Sequence, residues 1–119
     1  MIEVNNLYKS YGRGGKIKAL KGVSFTVDDG EIFGVIGPDG AGKTSLFRIL
    51  TSLILPNSGS AEMNGHDVII EYRKVRQIIG YMPGRFSLYQ DLSVEENLKF
   101  FATLFNTTIQ ENYHLIKDI

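Results

Sequence analysis

The stretch "IFGVIGPDGAGKTSLFRIL", Ile32 to Leu50, carries three patterns in succession. It opens on a nearly all-apolar run, Ile32 to Gly37, which suits a strand buried on both faces of a helix-covered parallel sheet. At its far end Leu46, Ile49 and Leu50, with Leu53 just beyond, recur at helical spacing. They predict a helix over residues 43–54 that stops before Pro56, because the residue preceding a proline resists helical geometry. Between the two lies "GPDGAGKT", Gly37 to Thr44, which satisfies G-x-x-x-x-G-K-[ST]. Strand, glycine-rich turn and helix in that order predict an α/β fold built around this loop.

That loop has a chemical logic. A polyphosphate needs many donors converging on a small volume, and glycines at positions 37, 40 and 42 let the backbone curl with no Cβ in the way. Amides from Gly40 to Thr44 then face inward at the opening of a helix, whose positive dipole end favours an anion. Lys43 adds a full charge at the β and γ phosphates, the Thr44 hydroxyl is a ligand for Mg²⁺, and Ser45 reaches towards the α-phosphate. Pro38 and Ala41 complete the loop. Asp39 is the one repulsive group, so its carboxylate is expected to face solvent or a partner. A turn that merely tolerates glycine would leave the lysine and hydroxyl unexplained.

Upstream, "MIEVNNLY" and Lys18 to Val27 are strand-like, and "DDGE", Asp28 to Glu31, predicts a hairpin turn into the Ile32 run. Downstream, Ser58-Gly59 and Asn64-Gly65 are turn signals around a brief strand, and Arg76 to Met82 is a further strand candidate. Ser93 with Glu96 forms a capping-box pattern opening a helix whose apolar stripe is Leu98, Phe101, Ala102 and Phe105, a face for a core or a partner. A second amphipathic helix is predicted from Thr108 to Ile119 on Ile109, Tyr113 and Ile116, with no stop signal at its end.

Composition narrows the classes. Thirteen basic and thirteen acidic side chains cancel, which argues against nucleic acid or an anionic membrane as partner. Lys9, Arg13, Lys16, Lys18 and Lys21 crowd the N-terminal region and read as a solvated face. With no cysteine, disulfides, thiolate metal sites and thiol catalysis are excluded. The longest apolar run, Leu46 to Leu55, is short and broken by Arg48, so no direct membrane insertion is expected. A length of 119 residues fits one small domain or a piece of a larger one.

The loop alone does not choose between a kinase, a GTPase and a transport ATPase. Its flanks do: "LYKSYG", then "ALKGVSFTVDDGEIFGVIGPDGAGKTSLFRILTSLILPNSGSAEMNG", resembles the first half of an ATP-binding cassette (ABC) ATPase. "IGYMPGRFSLYQDLSVEENLKFFA" resembles its exporter-type, multidrug branch. The resemblance runs through about residue 105 and implies a P-loop NTPase core with an N-terminal antiparallel β-subdomain. It divides the chain into β-subdomain strands and core strand (1–36), phosphate loop (37–45), helix (43–54), strand and glutamine-loop region (76–92) and the start of a helical subdomain (93–119). It also implies ATP and Mg²⁺ as ligands, a second ATPase subunit that dimerises on ATP and a transmembrane permease as partners. The implied location is cytoplasmic, peripheral to the inner face of the cell membrane. Tyr11 matches the aromatic residue that stacks on adenine, with Tyr8 as neighbouring candidate and a core or hairpin role as alternative.

One position departs from the family. A glutamine that approaches Mg²⁺ and the attacking water normally follows "YMP"; here Gly84 stands there, and Gln90 six residues on is a poor substitute. As a plain turn, Pro83-Gly84 would use glycine for a left-handed conformation. Arg85, Phe86, Leu88 and Tyr89 match the surface that meets the membrane partner, although Phe86 and Leu88 also suit a core. The LSGGQ-type signature, the apolar strand ending in Asp-Glu and the switch histidine are not found among the 119 residues, and His66 and His114 read as surface residues. The expectation is therefore a nucleotide-binding half, truncated before signature and acidic strand. It would lack the general base and expose an apolar sheet edge that favours association. A non-catalytic nucleotide-binding module and a soluble, non-transport ABC ATPase are the competing readings.

Overall fold

The computed structural model describes residues 1–85 and 88–118. They fall into two compact units, Met1–Gly80 and Tyr81–Ile119.

In the first unit, β1 (Ile2–Tyr11), β2 (Ile17–Val27), β3 (Ser58–Met63) and β4 (His66–Asp67) form one antiparallel sheet in the order β2-β1-β3-β4. Along β1 the inward residues are Val4 and Leu7, a spacing that simple alternation forbids. A register shift between them resolves this: Asn6 takes a positive φ of 46°, and its amide donates to Ser24 Oγ at 2.8 Å. The β3–β4 hairpin closes on Asn64-Gly65, with φ of 48° and 76°, the left-handed pair that matches strand twist. Helix α1 (Lys43–Leu50) places Leu46, Ile49 and Leu50 in a core with Val4, Leu7, Leu20, Ala61 and Met63. Each such large side chain, fully buried, contributes about 1.5–3 kcal/mol.

Several expectations are corrected here. Helix α1 ends at Leu50 rather than near residue 54; Thr51 turns its hydroxyl back to the Phe47 carbonyl, Ser52 has φ 58°, and Leu53 is exposed. Asp28 to Glu31 does turn, the Glu31 amide donating to the Asp28 carbonyl at 3.2 Å, yet Ile32 to Gly37 forms no ladder and no hairpin results. Ile32 and Ile36 are 100% and 98% exposed, while Phe33 stacks on Phe25 at 5.0 Å and Val35 packs on the core. The segment thus keeps one face on the core, but no described residue supplies the hydrogen-bonding neighbour that makes a strand.

The strand expected over Arg76 to Met82 is replaced at its start by α2 (Tyr72–Ile78). Only Val75 of this helix is buried, and one inward residue per two turns is a helical pattern, not an alternating one. Arg76 holds its place by donating to Ser52 Oγ at 2.9 Å and the Ser52 carbonyl at 2.7 Å. Residues 79–83 carry no strand.

In the second unit, α3 (Val94–Leu104) opens on the expected capping box: Ser93 N donates to Glu96 Oε2 at 2.7 Å, and Glu96 N to Ser93 Oγ at 3.2 Å. Its buried residue is Asn97, whereas Leu98 and Phe105 of the expected stripe are exposed. The helix expected over Thr108 to Ile119 shrinks to α4 (Tyr113–Ile116). Thr107, Thr108 and Glu111 spend their side chains on local bonds, including Thr108 N to Glu111 Oε2 and Glu111 N to Thr108 Oγ1. Such bonds offer the backbone an alternative to the helical ladder.

Candidate phosphate-binding site

The loop Gly37 to Gly42 joins the extended Ile32 segment to α1. Gly42 is the N-cap of α1, with φ 95°, and no side chain among the described residues caps the helix. The amides of Lys43, Thr44 and Ser45, in its first turn, therefore have no intrahelical acceptor. Gly42 has a second constraint: a Cβ there would lie 2.1 Å from the Ala19 carbonyl oxygen of β2. At Gly40, φ is also positive, 79°, but a Cβ would meet nothing within 4 Å. One glycine is thus demanded by packing as well as by backbone conformation, the other by conformation alone.

Lys43 Nζ folds back over the loop and donates to the carbonyls of Gly37 at 2.5 Å and Pro38 at 2.7 Å. An ammonium bonded to backbone carbonyls is readily transferred to phosphate oxygens, which are stronger acceptors for a charged donor. Thr44 is exposed at the helix start, Ser45 half-buried, and Asp39 exposed. Three uncapped amides, one ammonium and two hydroxyls make a donor set that fits a polyphosphate. For a divalent cation the chain offers the Thr44 hydroxyl; among the described residues no group of three acidic or histidine side chains is placed to hold a metal by itself.

Tyr11 ends β1 beside this loop, 38% exposed, and its hydroxyl lies 2.9 Å from Ser45 Oγ. Lys9 Nζ sits 5.1 Å from the Tyr11 ring centroid and donates to the Leu55 carbonyl at 2.8 Å. Sequence reasoning assigned Lys9 to a solvated face; the signal it passed over is the i, i+2 spacing to Tyr11, which puts both side chains on one face of a strand. Tyr8 lies elsewhere on the sheet, its ring packed against Gly22.

Gly84 belongs to the second unit. Its φ is not left-handed, and among the described residues a Cβ added there would meet nothing within 4 Å, so neither conformation nor crowding by these residues requires glycine. The left-handed conformation expected of it is thereby corrected, although the chain does bend at 84–85. Leu88 and Tyr89 border an apolar hollow of about 380 Å³ with Leu92, Val94, Leu98 and Phe101. Phe86 lies outside the described residues. Asn97, which sequence reasoning passed over, fastens this region: its amide accepts from Tyr89 N at 2.9 Å and donates to the carbonyls of Tyr89, Leu92 and Ser93. His66 binds Glu71 Oε1 through Nδ1 at 3.2 Å, and His114 is exposed. No helix among the described residues is long and apolar enough to cross a membrane.

Comparison with known proteins identifies the family. Residues 20–118 match the ABC transporter family. The chain is 43% identical over 105 residues to the probable multidrug ABC transporter ATP-binding protein YbhF of Escherichia coli, covering 88% of this chain and 18% of that protein. It is 44% identical over 103 residues to the doxorubicin resistance ATP-binding protein DrrA of Mycobacterium tuberculosis, covering 87% of this chain and 31% of that one. Among solved structures, an ATP-binding subunit of an ABC transporter superposes with a TM-score of 0.80 at 29% identity, over 96% of this chain and 46% of the other. The dimeric ATP-binding cassette MJ0796 bound to ADP and Pi gives 0.77 at 26% identity, over 88% and 48%. The chain therefore spans less than half the length of each of these relatives, and within that span it belongs to the ABC transporter ATP-binding family.

Proposed function

We propose that this chain binds ATP with Mg²⁺ at Gly37 to Ser45, with Tyr11 against the adenine and Thr44 as the protein ligand to the metal. The observation that carries the reading is the start of α1 beneath Lys43, uncapped by any described side chain, with the ammonium donating to the Gly37 and Pro38 carbonyls. In the complete protein, ATP hydrolysis would power export through a transmembrane permease, with two ATPase subunits pairing on ATP at the inner face of the membrane. The names of YbhF, a multidrug transporter protein, and DrrA, a doxorubicin resistance protein, support a transport role, and the dimeric MJ0796 structure supports the pairing. In this reading residues 1–36 are β-subdomain and core segment, 37–45 the phosphate loop, 76–92 the degenerate glutamine-loop region, and 93–119 the start of the helical subdomain. The apolar hollow beside Leu88 and Tyr89 is consistent with a surface for the permease.

These 119 residues would bind nucleotide without turning it over, since they contain no apolar strand ending in Asp-Glu, the place of the general base in the family resemblance. Calorimetric titration with Mg-ATP, alongside a phosphate-release assay, tests both halves. Binding that vanishes in Lys43→Ala with no release of phosphate is expected; release abolished by the same substitution would overturn the second half. A rival reading, a nucleotide-binding module without hydrolysis, is favoured by Gly84, where an open site holds no side chain. Gly84→Gln in the complete protein separates them: a large rise in ATPase rate marks a weakened motor, and an unchanged rate with retained nucleotide binding marks a module.

A further inference from the structure

The 2.9 Å contact between Tyr11 Oη and Ser45 Oγ joins the end of β1 to the first turn of α1. A phenol, with a pKa of about 10, is a far better donor than an aliphatic alcohol, and the alcohol oxygen is the better acceptor. The favoured polarity is therefore Tyr11 O–H to Ser45 Oγ. That leaves the Ser45 proton free to donate to a further acceptor, and a hydroxyl that accepts one hydrogen bond becomes a stronger donor in the next. Lys9, itself tied to the Leu55 carbonyl, lies over the ring at 5.1 Å and so favours this placement of the tyrosine.

From this arrangement we infer that the Tyr11 hydroxyl is a positioning group for the phosphate end of the nucleotide, acting through Ser45 and independently of any contact between the ring and the base. The inference rests on the nucleotide reading above and extends it: one residue serves both ends of the ligand, its ring the base and its hydroxyl the phosphate loop. Tyr11→Phe keeps the ring and deletes only the hydroxyl. A ring that only stacked on adenine would give the same affinity for a ligand without a base whether or not the hydroxyl were present.

The probes are ADP and inorganic tripolyphosphate, titrated calorimetrically into the chain and its variants, with far-UV circular dichroism to establish that each variant folds. Tyr11→Phe should weaken both ligands by the same factor, about two- to five-fold, the share of a charge-assisted bond that cooperative polarisation supplies. Ser45→Ala should weaken both by about ten-fold or more, and adding Tyr11→Phe to it should cost nothing further. Ser45→Thr, which restores a hydroxyl, should restore the dependence on Tyr11. An unchanged tripolyphosphate affinity in Tyr11→Phe, or an equal loss on the Ser45→Ala background, overturns the inference while leaving the nucleotide site standing. If the unsubstituted chain binds neither probe, the nucleotide reading fails and this inference with it.

Discussion

Replacing Gly42 by alanine separates two demands that the phosphate loop places on one residue. At φ 95° any Cβ is strained, which costs about 1–3 kcal/mol for a residue without glycine's freedom. The new methyl would also meet the Ala19 carbonyl oxygen at 2.1 Å, its carbon at 2.9 Å and Leu20 Cδ2 at 3.1 Å. A backbone carbonyl cannot step aside as a side-chain tip can, so α1 must lift from β2, and overpacking of this kind costs about a further 1–3 kcal/mol. Gly42→Ala should therefore destabilise by about 2–6 kcal/mol in all, a large fraction of the 5–15 kcal/mol typical of a folded chain. Gly40→Ala is the control: it has φ 79° and open space, and so should lose only about 1–3 kcal/mol of strain. Urea unfolding followed by far-UV circular dichroism measures both, read from the midpoint at constant slope. Equal losses in the two variants would refute the reasoning, since they would show that contact with β2 contributes nothing to the choice of glycine at position 42.

Gly84→Gln should leave the urea midpoint within the equivalent of about 0.5 kcal/mol, because its side chain enters open space; a larger loss would show that the site is crowded. Replacing both Ile32 and Ile36 by lysine should abolish concentration-dependent association in sedimentation velocity while retaining the fold, since both side chains are almost wholly exposed; association that persists rules this segment out as its cause. Ser93→Ala should cost about 1 kcal/mol of α3 stability. The backbone amide and then the hydroxyl of Ser93 hold the Glu96 carboxyl below its ordinary pKa, so its contribution is complete above the unfolded-state pKa and is lost as pH falls through the folded one. Helical ellipticity should accordingly decline in acid, with a flatter decline in Ser93→Ala. Asn97→Asp keeps the acceptor for Tyr89 N but removes the donors to three carbonyls, which should cost about 1–3 kcal/mol and speed hydrogen exchange at the Tyr89 amide.

What the sequence made legible was local. The capping box at Ser93, the Asn64-Gly65 turn and the inward residues of α1 each depend on side chains within a few positions of one another, and each is found. Ile32 to Gly37 shows where this fails. Its composition announces a buried strand, and Val35 on the core with Phe33 stacked on Phe25 agrees in part, yet a strand is completed by a neighbour's amides and carbonyls, which apolarity cannot supply. Arg76 to Ile78 fails for a related reason: "RQII" is ambiguous between periods, and the helix is decided by Val75 alone entering the core and by the bonds from Arg76 to Ser52.

The candidate site divides along the same line. Motif spacing names Lys43, Thr44 and the glycines because the chain itself brings contiguous residues together. What the motif does not contain are contacts from outside it: Ala19 against Gly42 and Tyr11 against Ser45, both at long sequence separation, and Lys9 over the Tyr11 ring. The first two run from the β1–β2 hairpin to the loop and α1, and the third flanks the tyrosine. If that hairpin both packs the glycine and orients the tyrosine, a lesion in it should impair phosphate binding without touching the motif. That follows from geometry on the sheet side of the loop, and no pattern confined to Gly37–Thr44 contains it.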